Sequence, residues 1–466
     1  MRRFSIIFLL AFVLSVLSAC RGRQDADTVV LRVCNWEEYI DEGGWDEDEL
    51  IELENGRNII GENAMYHDFE EWYYETYGIK VKVEYSCAGT NEDLYNQLTL
   101  GDVFDLVCPS DYMVMKLMAE DKLVKFSPGF FDTEDEENYY SRGVSPYIKK
   151  IFEENEINGE PWSEYSAGYM WGTTGIVYNP EEITREQASN WELLRDSEYK
   201  RRITIKDNVR DAYFAALAIY KKDRLLDEEF VNREDYVQAL AAEMNDTSDD
   251  AIHAVEDILR DIKENAYSFE TDSGKADMVT GKVLANYQWS GDAVYTIEQA
   301  EEDELELYYE VPRECANLWF DGWVMLKAGL EEDVRKQHAA EAFINFVSMP
   351  ENAVRNMYYI GYTSVIAGCD DSTMFDYVKW YFGVEDDAVE TCEYDISYFF
   401  QGEDEADGSY VVTAVPEQQY GALAAQYPSL DTIRRCAVMG YFDNETYEKI
   451  NNMWINVRCF NINSLF

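Results

Sequence analysis

Residues 79–112 read IKVKVEYSCAGTNEDLYNQLTLGDVFDLVCPSDY. From Ile79 to Tyr85 apolar and polar side chains alternate, as they do in a half-buried strand. Asn91 to Leu100 reads as a helix, and Phe104-Asp105-Leu106-Val107-Cys108 as a buried strand ending at Pro109-Ser110. Strand, helix and strand in so short a span point to α/β layers around a largely parallel sheet.

The same alternation continues on both sides. Val29-Val30-Leu31-Arg32-Val33-Cys34 is a short β-like run, Phe69 to Tyr77 has helical spacing, and Gly78 closes that helix as a C-cap. Met113 to Asp121 is a further helix. A second unit opens near Gly168, where Tyr169 to Tyr178 is strand-like with two glycines. Trp191 to Leu194 starts a helix, Arg202 to Ile205 is a strand, and Asp211 to Tyr220 is a helix. Val283 to Trp289 is a buried strand feeding a loop at Ser290-Gly291-Asp292, and Leu318 to Leu326 returns to strand character. Ala339 to Ser348 is a helix stopped by Pro350, and Thr432 onward reads as helical apart from its tail. Two acidic stretches interrupt the scheme. Asp41 to Gly61 reads as an exposed insertion or helix, and residues 370–425 as an inserted excursion.

With 466 residues, the chain has ample length for two or three domains. Apolar residues make up 47% and there are only 9 prolines, which argues against a disordered acidic chain. The 93 acidic and 39 basic side chains leave a formal net charge of −54, which excludes non-specific nucleic-acid binding and favours cationic ligands. At the N-terminus, Arg2 and Arg3 precede an apolar run from Phe4 to Leu17, too short to span a bilayer. Residues 1–19 therefore read as a signal peptide. Leu17-Ser18-Ala19-Cys20 resembles a bacterial lipobox, in which Cys20 would be acylated and tether a body outside the cytoplasmic membrane. An ordinary signal peptide with a chance cysteine is the plainer alternative.

The eight remaining cysteines form no C-x-x-C pair, and His67, His253 and His338 lack metal-ligand spacing, so no metal site is expected. Disulfides are possible in that compartment, whereas Cys34 and Cys108, in strand-like runs, read as small buried hydrophobes. No nucleophile motif, phosphate-cradling glycine loop or cofactor box is present, which points away from an enzyme.

Aromatic and acidic residues share one position in this pattern, the loop just beyond a strand. Trp36 and Tyr39 follow the first strand, Ser110 and Tyr112 the strand ending at Cys108, Asp211 the strand Arg202–Ile205, and Trp289 and Asp292 a later one. In open α/β sheets the carboxyl ends of strands form the ligand site. Carboxylates bind ammonium groups by charge-assisted hydrogen bonds, and indole and phenol faces attract cations and cover methylene chains. Acids at both ends with aromatic walls between them suit a linear polyamine. The competing assignment makes Trp36, Trp289 and Trp319 core aromatics and the acids caps or solvated charges.

Six segments in order resemble the spermidine/putrescine-binding proteins of bacterial ABC importers. They are Cys34-Asn35-Trp36-Glu37-Glu38-Tyr39, Asp105-Leu106-Val107-Cys108-Pro109-Ser110-Asp111-Tyr112, Tyr169-Met170-Trp171-Gly172-Thr173-Thr174-Gly175, Gln288-Trp289-Ser290-Gly291-Asp292, Leu318-Trp319-Phe320-Asp321-Gly322 and Tyr359-Ile360-Gly361-Tyr362. The resemblance implies a type II periplasmic-binding fold of two α/β lobes joined by crossing strands. It assigns 28–165 plus 320–366 to one lobe and 166–319 plus 426–466 to the other, with 370–425 inserted. Trp36 and Tyr39 would form an aromatic wall beside Ser110 and Tyr112. Trp289 and Trp319 would sandwich the methylene chain, Asp321 would hold one amine, and Tyr362 would line the same end. Asp292 matches an acid of the putrescine type, and Asp211 falls where the family has an acid on a helix.

The sequence departs from the family at Asn208, where spermidine binders carry an acid, at Met439, near a glutamine of some members, and in both insertions. These differences favour a diamine over a triamine. The implied mechanism is capture without turnover. The lobes close on a polyamine, and the lipid-anchored monomer docks on an ABC permease driven by a cytoplasmic ATPase. Two alternatives stay open: the same fold binding another amine, an amino acid or a metal, and a sensory or adhesive surface lipoprotein. An extracytoplasmic hydrolase would need a catalytic pair that nothing in the sequence selects.

Overall fold

The computed structural model describes residues 28–369, 372–384 and 389–459. The apolar run at Phe4–Leu17 and Cys20, read above as signal peptide and lipidation site, lie outside them. Eight strands make the backbone of a twelve-stranded sheet: β1 (Val29–Trp36), β2 (Val81–Ala88), β3 (Leu106–Val107), β4 (Ser166–Tyr178), β5 (Ile203–Lys206), β6 (Ser268–Glu270), β7 (Ala285–Trp289) and β8 (Ala316–Leu326). Their order is β6-β5-β7-β4-β8-β3-β1-β2. At one end β1 pairs in parallel with β2 and β3, and at the other β5 pairs in parallel with β6 and β7. Between these trios lie β4 and β8, antiparallel to each other and to the strands beside them. The expected parallel character is thus confined to each half, because the two crossing strands run against both.

Length and burial explain the crossing strands. β4 has 13 residues and β8 has 11, and every one is buried. Both faces are covered, so their sequences run apolar without the alternation of a one-sided strand. β2 is the contrast: Val81 and Val83 point inward while Lys82 and Glu84 face water. Helices α1 (Asn91–Leu100), α2 (Asp111–Ala119), α3 (Val209–Tyr220), α4 (Gly274–Val279), α5 (Ser290–Glu302) and α6 (Pro350–Ile360) pack around the sheet. The helix Met65–Tyr77 ends as its sequence predicts, with Gly78 at φ 69° donating its N–H to the Tyr74 carbonyl.

Three expectations need correction. Asp41 to Gly61 is neither a helix nor a purely exposed insertion; it holds a short hairpin, Ile51–Glu52 against Asn58–Ile59, with Ile51 and Ile59 buried. Asp41 is itself buried and anchors the segment, accepting from Arg355 Nε at 2.7 Å. Trp191–Arg195 is a 3₁₀ segment rather than the start of an α-helix. The C-terminal helix begins only at Asn444, since Cys436–Ala437 pairs with β8 at Ala316–Asn317 and competes with helix formation there.

The acidic excursion folds against the crossing strands. It contains a helix at Thr373–Phe382 and a hairpin of Cys392–Asp395 with Val411–Ala414. Phe399 stacks on Trp171 of β4, with centroids 5.8 Å apart and planes inclined by 10°. Cys34 and Cys108 are buried free thiols, as the strand reading predicts. No helix among the described residues is long and apolar enough to cross a membrane.

Candidate ligand-binding cleft

The carboxyl ends of both parallel trios open onto one cleft of about 970 Å³. All ten side chains singled out in the sequence line it: Trp36, Tyr39, Ser110 and Tyr112 from one half, Asp211, Trp289 and Asp292 from the other, Trp319 and Asp321 from β8, and Tyr362 just beyond α6. Topology gathers the seven that follow parallel strands, while Trp319 and Asp321 lie within β8 and Tyr362 follows a helix. A loop after a parallel strand emerges on the same edge of the sheet as its neighbours.

At one end is Asp321, in the middle of β8. The register between β4 and β8 shifts at Asp321/Gly322, and Ser110 faces Asp321 in a backbone bridge. Asn91 and Ser110 exchange two hydrogen bonds of 3.0 Å. Next to Ser110, the buried Asp111 carboxylate accepts from the Phe320 amide at 3.1 Å. The loop is thereby tied to β8. Across from it the chain turns at Glu38, with φ 52°, and the following Tyr39 is fixed through its carbonyl by Tyr169 Oη at 2.8 Å. The Tyr39 hydroxyl donates to Asp321 Oδ2 at 2.8 Å, whereas Asp321 Oδ1 is buried without a hydrogen-bond partner. Burial pushes the Asp321 carboxyl up to about 6, with Ser110, Tyr39 and Trp36 pulling the other way. No basic side chain among the described residues forms an ion pair with it.

Aromatic rings make the walls. Tyr362 meets Tyr39 edge-on at 5.1 Å and Trp319 at 5.7 Å. Two glycines make that packing possible. A Cβ on Gly172 would lie 2.7 Å from the Trp319 ring, and one on Gly291 only 2.1 Å from the Tyr362 ring. Trp319 is fixed in turn by its Nε1, which donates to the Thr173 carbonyl at 3.2 Å. Trp36 and Trp289 are partly buried where they line the cleft, and Trp319 lines it as a buried ring.

The opposite end carries Asp292, in the first turn of α5. Its Oδ1 accepts from Tyr362 Oη at 3.0 Å, and its Oδ2 lies 3.0 Å from Lys206 Nζ. Lys275 approaches Oδ1 at 3.7 Å. Burial alone would raise this carboxyl; the ammonium groups of Lys206 and then Lys275 outweigh it and hold the pKa below the usual range. Nearby Asp211 is buried and pushed up to about 7, chiefly by desolvation, with Lys206 and the Trp289 side chain opposing. Asn208, the departure noted in the sequence, caps α3: its Oδ1 accepts from the amides of Arg210 at 2.8 Å and Asp211 at 3.3 Å.

Sequence reasoning missed three basic residues of the cleft, Lys206, Lys275 and Arg210. The Arg210 guanidinium spans the two halves, 4.4 Å from the Tyr112 ring and 3.6 Å from that of Phe442. The Lys206 side chain is fully buried, its Nζ 4.1 Å from the Trp289 ring centroid. The nearest signal was the triplet Lys206-Asp207-Asn208 itself, which reads as polar strand end and turn. Met439, the other departure, lines the cleft as a buried apolar residue.

Residues 64–379 match the family model described as bacterial extracellular solute-binding protein. The chain belongs to that family. Its role is therefore to bind a solute, not to convert it, and its fold is that of the two-lobed periplasmic binding proteins. It is 26% identical over 284 residues to the spermidine/putrescine-binding periplasmic protein of Salmonella typhimurium, covering 60% of this chain and 70% of that one. To the putrescine-binding periplasmic protein SpuD of Pseudomonas aeruginosa it is 25% identical over 343 residues, 70% of this chain and 76% of the other. Among solved structures it superposes on the spermidine/putrescine ABC transporter substrate-binding protein PotD of Streptococcus pneumoniae with a TM-score of 0.57. That match has 23% identity and covers 92% of this chain and 98% of that one. At that identity the likeness speaks for the fold of the solute-binding protein alone.

Proposed function

We propose that this solute-binding protein captures a linear polyamine, putrescine or spermidine, between two lobes and delivers it to an ABC permease powered by a cytoplasmic ATPase. One observation carries the reading: a buried carboxylate, Asp321, offers an unpartnered oxygen to a cleft walled by Tyr39, Tyr362 and Trp319. An ammonium satisfies that oxygen by a charge-assisted hydrogen bond, and the rings cover its methylenes. The curated relatives named for spermidine and putrescine support the same choice.

The two bodies that close are 28–165 plus 320–366 and 166–319 plus 426–466, moving about β4 and β8. Closure follows from the ligand's greater affinity for the closed form. The protein works outside the cytoplasmic membrane as a monomer, delivered by the signal peptide of residues 1–19 and tethered through acylated Cys20. Isothermal titration of ligand-free, refolded protein tests the assignment. Heat with putrescine or spermidine is expected; none with either, but heat with another solute, overturns it.

A further inference from the structure

We propose that Lys206 is a built-in occupant of the cleft's second ammonium subsite, so that the protein selects short linear amines gripped by a single ammonium at Asp321. This rests on the amine reading above and narrows it. Lys206 closes β5, and its buried ammonium donates to Asp292 Oδ2 at 3.0 Å and to the Thr271 carbonyl at 2.9 Å. It also lies 4.1 Å from the centroid of the Trp289 ring. A carboxylate, a carbonyl and an aromatic face are what a desolvated ligand ammonium requires. The subsite is built, and the chain's own side chain fills it.

Asp292 has little left to offer a guest. Its other oxygen takes the Tyr362 hydroxyl at 3.0 Å and has Lys275 at 3.7 Å, the latter also bound to Asp272 at 2.7 Å. A second ligand ammonium arriving there meets two like charges. Displacing Lys206 instead separates a buried ammonium from its carboxylate and leaves it unpaired. Asp211, a further acid on this side, lies in the field of the same lysine. Asp321 alone combines burial, an unpartnered oxygen and freedom from any basic partner among the described residues.

Titration calorimetry of 1,4-diaminobutane and of butylamine, its monoamine counterpart, into the full chain and into Lys206→Met tests this. Removing the lysine vacates the subsite and leaves Asp292 to accept the diamine's second ammonium. The preference for diamine over monoamine is expected to rise by at least about tenfold in Lys206→Met. Lys206→Gln, which keeps a polar donor without the charge, carries the same expectation should the methionine variant fail to fold. An unchanged preference in the folded variants overturns the role of Lys206 while leaving amine binding standing. Absence of heat with either amine in all forms overturns the amine reading itself, and the inference with it.

Discussion

Asp321, buried, and Asp292, largely buried, are carboxylates of one cleft linked through the rings of Tyr39 and Tyr362, yet they keep opposite company. Asp321 has a phenol, with Ser110 and Trp36 nearby and, among the described residues, no lysine; Asp292 has a phenol, a lysine at 3.0 Å and a second lysine at 3.7 Å. Burial raises both carboxyls, and at Asp292 the two lysines, helped by the Tyr362 hydroxyl, reverse the effect. A strand end places Asp292 in the site, and the middle of a crossing strand places Asp321 there. The partners of each decide whether it is open to a solute.

Substitution at the two acids should separate them most widely. Asp321→Asn is expected to weaken amine binding by about thirtyfold or more, because a buried ammonium loses its only anionic partner. Near-normal affinity by calorimetry would remove the distinction. The second effect is in pH. Asp321 titrates at about 6, and an ammonium binds its ionised form. Lowering the pH from about 7 to about 5 shrinks that form from about nine-tenths to about one-eleventh, so affinity falls roughly tenfold. Asp292, held below the usual range, stays ionised over that interval and contributes nothing to the fall. A flat profile over it would mean that Asp321 does not meet the ligand cation.

Asp292→Asn combined with Lys206→Met removes a charge together with its partner and no contact of a monoamine, so butylamine affinity is expected to change by less than about threefold. A tenfold loss in the same titration would make Asp292 a ligand contact and erase the contrast. Smallest of all is Asn208→Ala, which removes the α3 cap. It should cost about 1 kcal/mol in denaturant unfolding and leave affinity unchanged. Any marked loss of affinity there would return Asn208 to the binding site.

The fold was legible because hydrophobic period and turn residues act locally. IKVKVEY in β2, the helix Asn91–Leu100 with Gly101 after it, and the buried run of β3 each carry their own signal. Site membership was legible for seven residues on topological grounds, since loops beyond parallel strands converge whatever their distance in sequence; the roles of Trp319, Asp321 and Tyr362 came from the resemblance. The partners of those residues were not legible. Lys206 meets Thr271 and Asp292 only because β5 lies between β6 and β7, and nothing in Ile-Thr-Ile-Lys says where the ammonium turns. The acidic excursion hid its structure likewise, since Phe399 is recognisable as core only once Trp171 is known to lie beneath it.

A crystal structure with 1,4-diaminobutane bound tests the central claim most directly. One ammonium should sit about 2.7–3.2 Å from Asp321 Oδ1, its methylenes against Trp319 and Tyr362, with Lys206 still on Asp292. An amine seated on Asp292 with Lys206 displaced, or found outside the cleft, would contradict it.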